Sequence, residues 1–359
     1  IRVRMRIDGV LQNMFALPKN IHNEIISRIK VLAQLRTDEH NAPQDGRFRI
    51  AIPEQGSVDI RVSIAPTYHG ENTVLRLLAE HAEGFTLERH GFGVQDREKI
   101  LKAIKKTSGM ILVTGPTGSG KTTTLYTLIK MLNTDDVSII TIEDPIEYSV
   151  SGIEQIQVNT SSGLTFANGL RSVLRQDPNI IMVGEIRDTD TATIAVNTAL
   201  TGHLLLSTLH TSDAATTLPR LLDMRVEPFL IASTVSVAIG QRLVRRLCSK
   251  CKEEYTPSEA EWKSLRDSLP AGALDGVKTL YRGKGCDACG KSGYIGRVGI
   301  NEVLVMDNDI REAILRKCSA SEIKKIAIKN GMTPMIMDGC AKAAQGLTTV
   351  GEILRVIHE

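Results

Sequence analysis

The chain has 359 residues, 42% hydrophobic and 24% charged, with 44 Lys and Arg against 41 Asp and Glu for a net charge of +3. That length fits two or three domains of ordinary globular composition. The near balance of charge argues against a protein built around one basic nucleic-acid face, and no run approaches the roughly 20 apolar residues needed to span a bilayer. The chain opens mid-strand on IRVRMRIDGV with no initiator Met, and no signal peptide is expected. The expectation is that a natural N-terminal portion is missing.

Residues 1–88 alternate short strand-like runs (IRVRMRIDG, RFRIAIP, VDIRVSIAP, NTVLRLLA) with one helical stretch, NIHNEIISRIKVLAQL. Period-two alternation and one 3.6-period segment predict a small α+β domain. The Gly-rich and charged stretch EHAEGFTLERHGFG (80–93) reads as a linker, with the domain boundary expected at 89–95.

From residue 96 to 246 the pattern changes. Apolar strand runs (MILVTG, VSIITIED, IIMVGEI, HLLLSTLH) alternate with helical segments, and EQIQV reads as a return segment. Such runs predict a parallel sheet covered on both faces, whose ligand chemistry lies at the carboxyl ends of the strands. PFLIASTVSVAIG is expected to be a buried helix. Residues 247–295 hold two C-x-x-C pairs, and 296–359 are expected to be helical, with Gly331 and Gly346 as helix stops.

The segment GPTGSGKTTT follows the first of those strands and has the spacing G-x-x-x-x-G-K-T. Glycines let several backbone N–H groups converge on one centre, and the next helix adds its positive end. We therefore assign Gly115, Pro116, Thr117, Gly118, Ser119, Gly120, Lys121, Thr122 and Thr123 to a nucleoside triphosphate, expected to be ATP. Lys121 would meet the β- and γ-phosphates and Thr122 a Mg²⁺ ion. The alternative, a flexible Gly and Ser turn, leaves the strand and helix flanks unexplained. Glu185 closes an apolar strand about 70 residues on, where an acid can hold Mg²⁺ through water and orient the attacking water.

Cys248, Cys251, Cys286 and Cys289 form two pairs 34 residues apart. The pattern points to a tetrahedral thiolate zinc site around a small subdomain. Two disulfides or a redox pair are the alternatives. Arg242, Arg245 and Arg246 could contact nucleic acid, but are read first as a subunit interface or a solvated helix face.

TIEDPIE, LRSVLRQDPNIIMVGEIRD, TALTGHLLLSTLHTSDA and QRLVRRLCSKC together resemble the secretion ATPase superfamily, in the branch that drives type IV pilus assembly and type II secretion. The resemblance implies an α/β fold: a RecA-like P-loop ATPase core, a small N-terminal α+β (PAS-like) domain, a zinc-binding insertion and a helical C-terminal part. It implies catalytic roles for Glu185 and Glu143, phosphate sensing by His203 and His210, and nucleotide-reaching arginines at Arg47, Arg61, Arg171 and Arg175. It implies a homo-hexamer using ATP, Mg²⁺ and Zn²⁺ at the cytoplasmic face of the inner membrane. Contact would be with a platform protein, not with nucleic acid. Pilus assembly is the leading reading and type II secretion the alternative; a nucleic-acid motor, a small-molecule kinase and a nucleotide-gated scaffold are remoter.

Overall fold

A computed structural model describes residues 1–52, 56–78 and 86–358. Two units emerge: Ile1–Gly84 with Glu147–Ser149, and Phe85–Ile146 with Val150–Glu359. Residues 80–85 of the expected linker stretch lie outside the described residues.

In the first unit, strands β1 (Arg2–Ile7) and β2 (Val10–Ala16) form a hairpin, followed by helix α1 (His22–Leu32). Strands β3 (Gln44–Ile52), β4 (Gly56–Thr67) and β5 (Gly70–Leu78) make an antiparallel sheet in that order. Alternation sorts β4. Ile60, Val62 and Ile64 are buried in a small core with Ile26 and Ala33, and Arg61 points to the other face, as strand geometry requires. This is the expected α+β unit.

The second unit opens with α2 (Val94–Ile104), β6 (Gly109–Thr114), α3 (Lys121–Leu132), β7 (Ile139–Glu143), β8 (Glu154–Gln157) and α4 (Phe166–Val173). It continues through β9 (Ile180–Val183), α5 (Thr189–Leu200), β10 (Leu204–Leu209), α6 (Ala214–Asp223), α7 (Pro228–Thr234) and β11 (Val235–Leu247). Then come β12 (Lys252–Tyr255), α8 (Glu259–Ser268), β13 (Leu280–Gly283) and β14 (Tyr294–Val305). Helices α9 (Asn308–Leu315), α10 (Ala320–Lys329), α11 (Met335–Ala344) and α12 (Val350–His358) end the chain.

Among the described residues, one sheet runs β14-β11-β6-β10-β9-β7-β8. Strands β6, β7, β9 and β10 are buried along their whole length, because helices cover both faces; this is why they read as continuous apolar runs. No helix among the described residues is long and apolar enough to cross a membrane.

Three expectations need correction. PFLIASTVSVAIG is helical only to Thr234; Val235 and Val237 then enter β11, where β-branched side chains favour the pleated sheet. Residues 296–305 are strand, not helix. They belong to β14, which pairs antiparallel with β11 from Val237↔Val305 to Leu247↔Tyr294 and makes the sheet mixed. Arg242, Arg245 and Arg246 therefore sit on a strand: Arg242 donates to Val356 O, and Arg245 pairs with Glu352 at 2.6 Å while stacking 4.2 Å over the Tyr294 ring. Of the residues expected in the linker, His90 is buried, its Nε2 lying 2.9 Å from Thr127 Oγ1, and Phe92 is 4% exposed. Gly331 and Gly346 end helices at φ +92° and +70°, as expected.

Candidate nucleotide site and tetracysteine centre

Strand register sets the candidate nucleotide site. Thr114 ends β6 opposite Leu209 of β10 and Gly240 of β11. Gly115, His210 and Gln241 each follow one residue after that rung. The chain then turns sharply. Gly115 takes φ +145° and Gly120, at the start of α3, φ +89°. A Cβ on Gly115 would stand 2.3 Å from Gln241 O, and one on Gly120 2.9 Å from Gln241 Nε2. Only glycine permits that curvature and that approach. The loop ends at the positive terminus of a 12-residue helix, the geometry that receives a phosphate.

Lys121 is 8% exposed and folds back, its Nζ donating to Gly115 O at 2.9 Å and Pro116 O at 3.0 Å. Burial pulls its pKa below the ordinary lysine value, with the Glu185 carboxylate opposing. Thr122 is exposed beside it. Glu185 lies two residues beyond β9. It accepts from Arg187 at 2.6 Å and lies 3.0 Å from His210 Nε2. The turn after His210 is tied to the loop strand: Thr211 N donates to Thr114 Oγ1 at 3.0 Å. Asp188, of the same GEIRD segment, caps α5 by accepting from Thr191 N. Lys121, Glu185 and His210 thus converge at the carboxyl ends of β6, β9 and β10.

Other expected residues are placed differently. Glu143 is 2% exposed and its carboxylate is engaged by the Tyr126 hydroxyl, Thr141 Oγ1 at 2.5 Å and Gln155 Nε2 at 3.0 Å. Its donors lock β7 to α3 and β8. His203 is not near the phosphate loop. It precedes β10, seven residues from His210 and so about 20 Å along the strand, with Nδ1 3.2 Å from Thr198 O. Arg171 and Arg175 are exposed on and just after α4, bonded to Asn168 Oδ1 and Arg171 O. In the first unit, Arg47 pairs across the sheet with Arg61, and Arg61 with Arg76. Three guanidiniums side by side repel; Glu147 lies 3.9 Å from Arg61 and 3.7 Å from Arg76. Sequence reasoning missed Arg76, although its place on the same pleat face as Arg61 follows from hairpin register. It also missed Tyr126, Arg187 and Gln241; a lone Gln inside the apolar run VSVAIGQRLV was the available signal for the last.

The cysteine cluster lies between β11 and β14. The four sulfur atoms fall within 4.8 Å of one another, with Cys248–Cys286 and Cys251–Cys289 at 3.8 Å and Cys286–Cys289 at 3.7 Å. These spacings are too long for disulfides. A tetrahedral zinc with Zn–S near 2.3 Å puts its sulfurs about 3.8 Å apart, so the donors fit that ion in number, kind and spacing. Cys289 accepts backbone N–H groups from Cys286 and Gly293, which bring its pKa down to about 6.

A family model described as "Type II/IV secretion system protein" matches residues 1–355. The chain belongs to this family. It is 48% identical over 362 residues to the "Type II secretion system protein E" of Xanthomonas campestris pv. campestris, covering 100% of this chain and 63% of the relative. It is 47% identical over 356 residues to the "Type IV pilus assembly ATPase PilB" of Thermus thermophilus, covering 99% of this chain and 39% of the relative. The chain thus spans less than two thirds of either relative's length. Among solved structures, that of the pilus retraction motor PilT with bound ADP superposes with a TM-score of 0.67 at 25% identity, covering 98% of this chain and 89% of that one. The family's α/β ATPase fold is the one described above.

Proposed function

We propose that this chain is the motor portion of an ATPase that hydrolyses Mg·ATP to drive type IV pilus assembly. One observation carries the reading: Lys121, Glu185 and His210 meet at the carboxyl end of the sheet beside a glycine turn shaped for phosphates. Water would attack the γ-phosphorus and ADP would leave, so that catalysis is positioning and charge stabilisation. Lys121 releases its two loop carbonyls to meet the phosphates. Glu185 orients the water and accepts its proton, and His210 and Arg187 hold the Glu185 carboxylate. Mg²⁺, held by Thr122 and through water by Glu185, would neutralise phosphate charge. Glu143 acts as a positioning residue through Tyr126. The Arg47, Arg61 and Arg76 face has the chemistry to neutralise charge on a transferring phosphoryl group. Cys248, Cys251, Cys286 and Cys289 would hold a structural zinc.

The family supports a homo-hexamer docked on a platform protein at the cytoplasmic face of the inner membrane. Type II secretion is the second reading, since identities of 48% and 47% favour neither branch. Two measurements test these statements. Lys121→Ala in the full-length protein should abolish phosphate release from ATP and the rise in melting temperature that ADP produces; retained turnover overturns the site. Deleting the gene should remove surface pili and leave enzyme export intact; the reverse outcome selects type II secretion.

A further inference from the structure

Beneath the phosphate loop, two buried side-chain atoms have no hydrogen-bond partner among the described residues: Ser119 Oγ and Gln241 Nε2. Gln241 is fully buried in β11, which flanks β6 on the side away from β10. Its Oε1 accepts the Thr124 hydroxyl at 2.7 Å. That bond fixes the carboxamide and turns its N–H₂ toward the loop. The amide nitrogen would stand 2.9 Å from a Cβ on Gly120, and the Gln241 backbone carbonyl 2.3 Å from one on Gly115. An uncommitted donor therefore presses on the last glycine of the loop from behind, while the same residue's main chain lies against the first. A buried donor without a partner destabilises the fold. A methionine of similar length would avoid that cost.

Lys121 provides the use for it. Its ammonium occupies Gly115 O and Pro116 O and must leave both to reach a phosphate. Pro116 O keeps the Ser119 N–H at 3.3 Å, but Gly115 O then needs a donor inside the loop. We propose that Gln241 is a positioning residue of the nucleotide site: when a phosphate draws Lys121 away, the Gln241 amide donates to a released loop carbonyl and holds the loop open. The inference rests on the reading of this loop as a triphosphate site.

The test uses the full-length protein. Thr124→Val/Gln241→Met removes both partners of the side-chain bond and leaves no orphan, so the melting temperature without nucleotide should stay close to wild type. KM for ATP should rise about tenfold with kcat falling less than about threefold, and the ADP-induced rise in melting temperature should shrink. Thr124→Val alone keeps the amide without the bond that aims it, and should restore only part of that rise. A double variant with wild-type KM and a wild-type ADP response overturns the proposal. Should the variant fail to fold, a crystal of the unmodified protein with ADP decides. Gln241 Nε2 within about 3.2 Å of Gly115 O or Pro116 O supports it; an amide still unpartnered while Lys121 contacts phosphate overturns it. An unmodified protein that binds no nucleotide would instead remove the reading on which the inference stands.

Discussion

At the phosphate loop the groups that meet a ligand are mostly backbone, aimed by β6, by α3 and by two glycines that no other residue could replace. At the tetracysteine centre they are four side chains on short elements, with α8 burying none of its residues. The loop inherits its shape from the main sheet, whose neighbouring strands are packed along their full length. The cysteine module sends Leu269, Leu274 and Leu280 into a core shared with β11, β14, α11 and α12, while its tip carries the four sulfurs. One site is shaped by the sheet; the tip of the other would be finished by the ion its sulfurs fit.

The contrast can be broken at the nucleotide end first. Glu185→Gln should lower kcat for ATP hydrolysis by about 10²–10⁴ with little change in melting temperature. Glu143→Gln should do the reverse. It weakens three buried donor contacts and should cost about 1–3 kcal/mol of stability in denaturant melts, with a smaller loss of kcat. Equal kinetic losses would show that both carboxylates act on the water. At the other end, stripping metal with a chelator should expose the segment between β12 and β13 to proteases while β6–β11 stays resistant. Cys286→Ser should reproduce that pattern and release dye-detectable zinc. Uniform protection after chelation would mean that the module holds itself together.

A smaller, pH-dependent effect sharpens the same comparison, because Glu352 ties α12 to β11 just before the first cysteine. Burial works to raise its pKa, but the Arg245 and Arg355 guanidiniums outweigh it and hold the carboxyl at about 2, against an ordinary 4.5. A depressed carboxylate pKa stabilises the fold above the ordinary value and loses that contribution as pH falls toward the folded one. The melting-temperature gap between wild type and Glu352→Gln should therefore be widest above pH 4.5 and close between pH 4.5 and about 2. A gap that does not change with pH would assign Glu352 to packing alone.

Sequence reasoning reached what is local. The loop and the cysteine pairs are short motifs whose residues act where they lie in the chain, and the strand-helix alternation around them follows from burial on both faces. It failed where the decisive fact was a neighbour distant in sequence. The run VGINEVLV was absorbed into a helical tail because nothing near it says that β11 waits as its partner. His203 and His210 share one motif, yet a straight strand carries them to opposite ends of the sheet. Glu143 and Glu185 look alike as acids at strand ends. Tyr126, arriving from α3, and Gln155, from β8, separate a sealed carboxylate from one that faces the loop. Gln241 is visible as an odd polar residue, but its meaning depends on β11 lying beside β6.

The pairing of Leu247 with Tyr294 carries one more consequence. The chain leaves the sheet and returns to it at adjacent rungs of a single antiparallel ribbon, so everything from 248 to 293 is a detour at the tip of a hairpin. Excising that detour and joining the two strands by a tight turn would leave the ladder in register down to the phosphate loop. The cysteine module is thus a topological insertion: the strand ladder that reaches the phosphate loop does not run through it.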